Sequence, residues 1–262
     1  KGTRVPARLR TDRAQTLGWG ILVSMVRAGL FYFGYAVITI VWGSLGVAFG
    51  WMLPFRSRFA FIIGGWTRLC LFWLRVSCGI RAEISGLQSL PEKPCIVLSR
   101  HESTWETLFL QTLLAPQATL IKRELLWIPF FGWAFSLLRP IAIDRSDGRK
   151  ALRQLVTEGK SRLDAGLWVV LFPEGTRLQH GESGKLQPGG AALAAASGAP
   201  IILFAHDAGR YWPAHAFKKT PGVIRGCFSK PLSTTGMTSK AIQSMVADEL
   251  QTLMQSVATR PG

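Results

Sequence analysis

The chain has 262 residues, 31 Lys and Arg against 15 Asp and Glu, and a formal net charge of +16. It is also 48% hydrophobic and holds 10 Trp. Basic charge with long apolar runs argues against a nucleic-acid binder, as does the lack of any DNA- or RNA-binding motif. It argues for a protein at an anionic bilayer surface, where Lys and Arg meet headgroups and Trp sits at the interface.

Residues 1–16 are polar and basic, with Lys1, Arg4, Arg8, Arg10 and Arg13 against Asp12 alone. No small-residue cleavage site follows a short apolar core in the manner of a signal peptide. From Ala28 to Phe55 there is no charged residue, and at roughly 20 residues per crossing such a run can span a bilayer. Gly46-Val47-Ala48-Phe49-Gly50 has the spacing of a close helix contact. A second apolar stretch, Phe59 to Val76, is interrupted or flanked by Arg56, Arg58, Arg68 and Arg75. Two arrangements fit: one span plus a helix lying in the interface, or a helical hairpin dipping into one leaflet. Basic residues before and between the two stretches favour the hairpin. Residues 1–78 are therefore read as a membrane-anchoring part and 79–262 as a separate domain.

From Gly79 the pattern changes to short apolar runs alternating with helical spacing. Arg81-Ala82-Glu83-Ile84 reads as an edge strand, and Cys95 to Leu98 as a buried one. Thr119-Leu120-Ile121, Ile141-Ala142-Ile143, Leu167 to Phe172, Ile201 to Phe204 and Val223 to Phe228 read as further strands. Asp147 to Ala165, Gly189 to Ser197 and Ser239 to Val257 have helical spacing. Such alternation predicts an α/β fold, a mostly parallel sheet flanked by helices. Active groups in that fold gather where strands end and loops begin. The four cysteines, Cys70, Cys78, Cys95 and Cys227, lack metal-ligand spacing and require no disulfide, so neither a metal nor a cofactor is expected.

Arg100-His101-Glu102-Ser103-Thr104-Trp105-Glu106 follows the Cys95 strand and opens a helix. It admits two readings. His101 and Glu106 could be a general base and its orienting acid. Ser103-Thr104-Trp105-Glu106 could equally be a capping box. Five residues along a regular helix leave two side chains roughly 140° apart. A catalytic pair therefore requires His101 to lie on the turn before the helix. His180, His206 and His215 show no comparable spacing to an acid and are read as ordinary histidines. Trp127 to Trp133, broken by Pro129 and Gly132, reads either as core or as part of an acyl groove.

Phe172-Pro173-Glu174-Gly175-Thr176-Arg177, with His101-x4-Glu106 upstream, resembles the PlsC-type glycerolipid acyltransferases, the 1-acylglycerol-3-phosphate acyltransferases. Ile141-Ala142-Ile143-Asp144-Arg145, Ala199-Pro200-Ile201-Ile202 and Lys122-Arg123-Glu124-Leu125 match further family elements in order, over roughly residues 80–230. Glu106 stands where aspartate is commoner, and Gln187 where lysine is often found. The resemblance implies transfer of a fatty acyl group from a thioester of coenzyme A or acyl carrier protein to the sn-2 hydroxyl of lysophosphatidic acid. It implies His101 and Glu106 as the catalytic pair. It also implies Lys122, Arg145, Glu174, Gly175, Thr176 and Arg177 as the phosphate- and glycerol-binding set. The expected setting is the cytoplasmic face of a bacterial inner membrane. The competing expectations are another lyso-lipid acceptor, such as a lyso-aminolipid, or a non-catalytic binder of anionic lipids.

Overall fold

A helix that is apolar on every side has to be buried in protein or in lipid. The uncharged run up to Phe49 forms the second half of such a helix, α1 (Ala7–Phe49), which a 3-10 turn at Gly50–Met52 closes. The computed structural model describes residues 7–144 and 147–259, with side chains except those of residues 7–19 and 21. The basic residues Lys1, Arg4, Arg8, Arg10 and Arg13 lie outside the described side chains, and Arg145 lies outside the described residues. After Pro54 the chain turns back as α2 (Phe55–Phe59), a π-helical turn (Ala60–Gly65) and α3 (Trp66–Cys78). Gly79, left-handed at φ +69°, ends α3.

Leu22–Met52 and Phe55–Cys78 are each long and apolar enough to cross a membrane. Their surroundings differ. On α1, Leu22, Val26, Leu30, Phe33, Val37 and Ile40 are exposed, an apolar surface that a water-soluble protein seldom shows. On α3, Trp66, Cys70 and Leu74 are buried against the protein, while Leu69, Phe72 and Val76 face outward. So the second apolar stretch belongs in part to the core of the domain. Towards the end of α1 and in the turn after it glycines face protein: Gly43 lies against the backbone of Phe130, Gly46 against Ala134 and Gly50 against Ile62.

The rest of the chain forms a seven-stranded sheet with strand order β1-β7-β6-β2-β5-β3-β4. The strands are β1 (Ile80–Ser85), β2 (Ile96–Ser99), β3 (Gln117–Lys122), β4 (Ile141–Ile143), β5 (Trp168–Leu171), β6 (Ile201–His206) and β7 (Gly222–Phe228). Only the β6–β7 pairing is antiparallel. Alternation along the strands sorts the core into two layers. Val97, Val170 and Ile202 face α3 and α4 (Trp105–Leu113). Ile96, Leu98, Val169 and Leu203 face α6 (Gly148–Asp164), α7 (Gly189–Ser197) and α8 (Ser239–Ala258). On the first of these layers, α5 (Phe131–Ser136) packs on α1. The Trp127–Trp133 segment divides: Gly132 and neighbouring Ala134 are buried, while Trp127 and Trp133 are exposed at 78% and 49%.

α1 is also clamped to the loop after β6. Trp212 meets Phe31 edge-on, and Phe217 stacks on Tyr32 at 5.1 Å. Lys219 is buried, with its Nζ 3.8 Å from the Tyr32 ring centre and donating to Phe217 O. Burial lowers its pKa to about 8.

The close fit of α1 is testable. A Cβ added at Gly43 would stand 2.9 Å from Phe130 backbone, and one at Gly29 would meet nothing within 4 Å. Gly43→Ala is expected to lower stability by about 1–3 kcal/mol through overpacking. Gly29→Ala should leave stability unchanged or slightly raised. Thermal unfolding of the two variants in a mild detergent makes the comparison.

Candidate active site

The parallel strands β2, β3, β4, β5 and β6 end on one edge of the sheet, and the charged segments the sequence singled out follow those ends. His101 lies on the turn after β2, four residues before α4 begins at Trp105. That leaves Glu106, in the first turn of α4, free to reach back. Its Oε1 is 2.8 Å from His101 Nδ1. The same oxygen accepts from the Glu102 and Ser103 amides at 3.1 and 2.9 Å. Glu106 is therefore both a cap and a partner for His101. Ser103 Oγ accepts from the Trp105 amide, so its lone pairs serve the same turn.

Glu106 is fully buried. Burial alone would raise its pKa. The electrostatic pull of His206 and His101 and the hydrogen bonds from His101 and Ser103 outweigh that, and the carboxyl titrates below its ordinary value. An ionised Glu106 fixes the His101 proton on Nδ1, which leaves Nε2 with a free lone pair. The His101 ring stacks on Phe172 at 4.1 Å between centres, and its side chain keeps 15% of its exposure.

Behind this pair lies a buried charge cluster. Arg100 Nε donates to Glu102 Oε1 at 3.1 Å, and its Nη1 to Glu174 Oε1 at 3.3 Å. Its Nη2 donates to Glu182 O. Glu102 Oε2 is 3.1 Å from His180 Nδ1 and accepts from the Gly209 amide. His206, at the end of β6, accepts from the Ala208 amide at Nδ1, so its Nε2 carries the proton and donates to Arg100 O at 2.9 Å. Glu174 turns inward to Arg100 and makes no ion pair with Arg177 among the described residues. Its Oε2 is buried with no hydrogen-bond partner. Burial, with added repulsion from Glu102 and Glu106, raises its pKa to about 7, and Arg100 offsets only part of this.

His101 opens on a cleft of about 460 Å³ that also carries Lys122, Gly175, Thr176 and Arg177. The Leu178 amide donates to His101 O at 2.9 Å, which holds the Arg177 loop against the histidine turn. Gly175 has φ +73°, the left-handed value a tight turn needs. Its own amide donates to Phe172 O at 3.0 Å, so that N–H belongs to the turn rather than facing a ligand. Arg177 Nε is buried without a partner among the described residues. An apolar pocket of about 420 Å³, lined by Leu120, Ala151, Leu155 and Leu171, adjoins the cleft at Phe172 and Gly175. Glu174 borders this pocket rather than the cationic cleft.

The family model described as Acyltransferase matches residues 81–206. The 1-acyl-sn-glycerol-3-phosphate acyltransferase of Pseudomonas aeruginosa is 45% identical over 223 residues, covering 85% of this chain and 87% of the relative. The chain belongs to the 1-acyl-sn-glycerol-3-phosphate acyltransferase family. Its relative from Limnanthes alba is 27% identical, covering 87% of this chain and 81% of its own length. The fold is that of the acyltransferase PlsC from Thermotoga maritima, with a TM-score of 0.74 at 19% identity over 90% of this chain and 98% of that one.

This family member holds more around its histidine than local spacing reveals. The sequence offered no reason to group Glu174, His180 and His206 with Arg100 and Glu102, because 74 or more residues separate them. The one available signal was register. Arg100 follows β2, and β2 lies between β5 and β6, whose ends carry Glu174 and His206.

The raised Glu174 pKa has a defined sign. The folded state holds a proton on Glu174 between about pH 4.5 and 7 that the unfolded chain has released. Stability is therefore lost as pH rises through that window, by up to roughly 3 kcal/mol. Glu174→Gln removes the charge and should gain on the wild type between pH 5 and pH 8 in denaturant unfolding. A constant difference between the two proteins across that range would mean Glu174 is ionised throughout.

Proposed function

We propose that this protein transfers a fatty acyl group from an acyl thioester to the sn-2 hydroxyl of lysophosphatidic acid, giving phosphatidic acid. The observation that carries the reading is the His101–Glu106 pair opening on a cleft that also holds Arg177 and Lys122. The name borne by the Pseudomonas aeruginosa relative supports it.

A secondary alcohol needs a base to remove its proton as it attacks. With Nδ1 bonded to Glu106, His101 takes the sn-2 proton at Nε2 while the alcohol oxygen bonds to the thioester carbonyl carbon. Ionised Glu106 stabilises the imidazolium that forms. The tetrahedral intermediate then expels the thiolate, which takes the proton back from His101. An ester has formed, a thioester has broken, and the base is regenerated. No acyl-enzyme is required, and the sequence contains no G-x-S-x-G elbow.

Arg177 and Lys122 receive the phosphate, because cationic side chains give charge-assisted hydrogen bonds to its oxygens. Arg145, after β4, is proposed for the same set from its place in the sequence. Gly175 and Thr176 shape the turn that presents Arg177. Glu174 acts from behind, through Arg100. The apolar pocket beside Phe172 takes a hydrocarbon chain. The acyl donor is a thioester of coenzyme A or of acyl carrier protein. The exposed face of α1 lies in the bilayer, from which the acceptor comes, and the cleft faces the cytoplasmic side of a bacterial inner membrane.

His101→Ala should cut kcat by about 100- to 10,000-fold, the range expected for loss of a general base. Glu106→Gln should cause a loss of the same order with little change in unfolding temperature. Its amide oxygen can still accept from Ser103 and Glu102, but it no longer carries the charge. Phosphatidic acid formation from lysophosphatidic acid is the assay, with acyl-coenzyme A and acyl carrier protein donors in separate arms. Full activity of His101→Ala would remove the base assignment. Turnover only of a phosphate-free acceptor would favour the lyso-aminolipid reading.

A further inference from the structure

A second cleft of about 330 Å³ lies between α1 and the loop after β6, lined by Tyr32, Thr104 and residues 212–217. Two residues line both this cleft and the one at His101, namely Arg177 and His215. No carboxylate lines either cleft among the described residues. His215 is exposed, yet its backbone has φ +60°. A non-glycine residue held in the left-handed region is strained, and such strain clusters at ligand sites. Its loop is a fixed one. Trp212 and Lys219, on either side, are buried against Phe31 and Tyr32 of α1. The Thr220 amide closes the loop on Tyr211 O at 2.8 Å. The Nε of Arg177 is buried without a partner at the junction of the two clefts.

We propose that His215 binds the phosphate of the lyso-lipid acceptor together with Arg177 where the two clefts meet, on the side of the His101 cleft nearest α1 and the loop after β6. This rests on the acyltransferase reading and adds to it a residue from outside the sequence blocks that suggested that reading. An anion suits the site because only cationic, neutral and hydroxyl groups face it. A lipid anion suits it because Tyr32 belongs to the helix whose far side is apolar and exposed.

The test uses the full chain in mixed micelles, with the His101→Ala substitution to stop turnover and no acyl donor present. Binding of lysophosphatidic acid and of phosphate-free monoacylglycerol is measured with and without His215→Ala, and separately with His215→Gln. The expected result is about a tenfold weaker affinity for lysophosphatidic acid, the size of a hydrogen bond to a charged group. The affinity for monoacylglycerol should not change. Equal losses on both lipids, or no loss on either, would overturn the proposal. With His101 restored, the same substitutions should raise KM for lysophosphatidic acid while kcat stays within about twofold, and a fall in kcat alone counts against the proposal. Absence of phosphatidic acid formation by the wild type would instead strike the acyltransferase reading. The binding comparison would still decide the role of His215.

Discussion

A carboxylate with no access to water has to find its hydrogen bonds within the protein, or its burial costs several kcal/mol. Glu106 meets this constraint through one oxygen only; Oε2 is buried without a hydrogen-bond partner among the described residues, 3.9 Å from His206 Nε2. Its Oε1 accepts from His101, Glu102 and Ser103, and so closes the turn between β2 and α4 around itself. The same three contacts orient the imidazole and begin the helix. The cap and the His101–Glu106 pairing, alternatives when the heptapeptide is read alone, are one arrangement in space. The length of the glutamate side chain serves it, since the histidine lies four residues before the helix rather than on it.

The sheet supplies what the turn cannot. Strand order sets β2 between β5 and β6, so the loops carrying Arg177 and His206 arrive beside His101 from far along the chain. One amide bond, from Leu178 to His101 O, joins two of these loops directly. Arg100, adjacent to His101 in sequence, bonds carboxylates on both its sides and a carbonyl beyond. A buried cluster of this kind contributes little net stability. It does fix the chain on both sides of His101 through buried partners.

How much was legible in the sequence followed the range of each interaction. The His101–Glu106 pair spans one turn, and its geometry followed from helix pitch. The alternation of strands and helices gave the mostly parallel sheet, and Arg81 to Ile84 lay at its edge as read. Gly46 and Gly50 signalled a close contact, but their partners Ala134 and Ile62 did not follow from the spacing. The stretch Phe59 to Val76 read as a membrane segment, and one of its faces proved to be core. Hydropathy cannot distinguish lipid from a protein interior. Glu174 stood in a motif next to Arg177, yet the two side chains take opposite directions across the Gly175 turn. His180, His206 and His215 carried no local pattern, because their neighbours come from other strands.

The packing of α1 limits what the rest of the chain can be without it. Phe31 and Tyr32 contribute two of the three rings around Lys219, with Trp212 the third, and Tyr32 is a wall of the cleft that Arg177 and His215 share. A proteolytic cut between α1 and α3 would uncover Trp212 and strip the Phe31 and Tyr32 rings from the Lys219 ammonium. The exposed apolar helix is thus also a wall of that cleft, and trimming it would open the cleft along with removing the apolar surface.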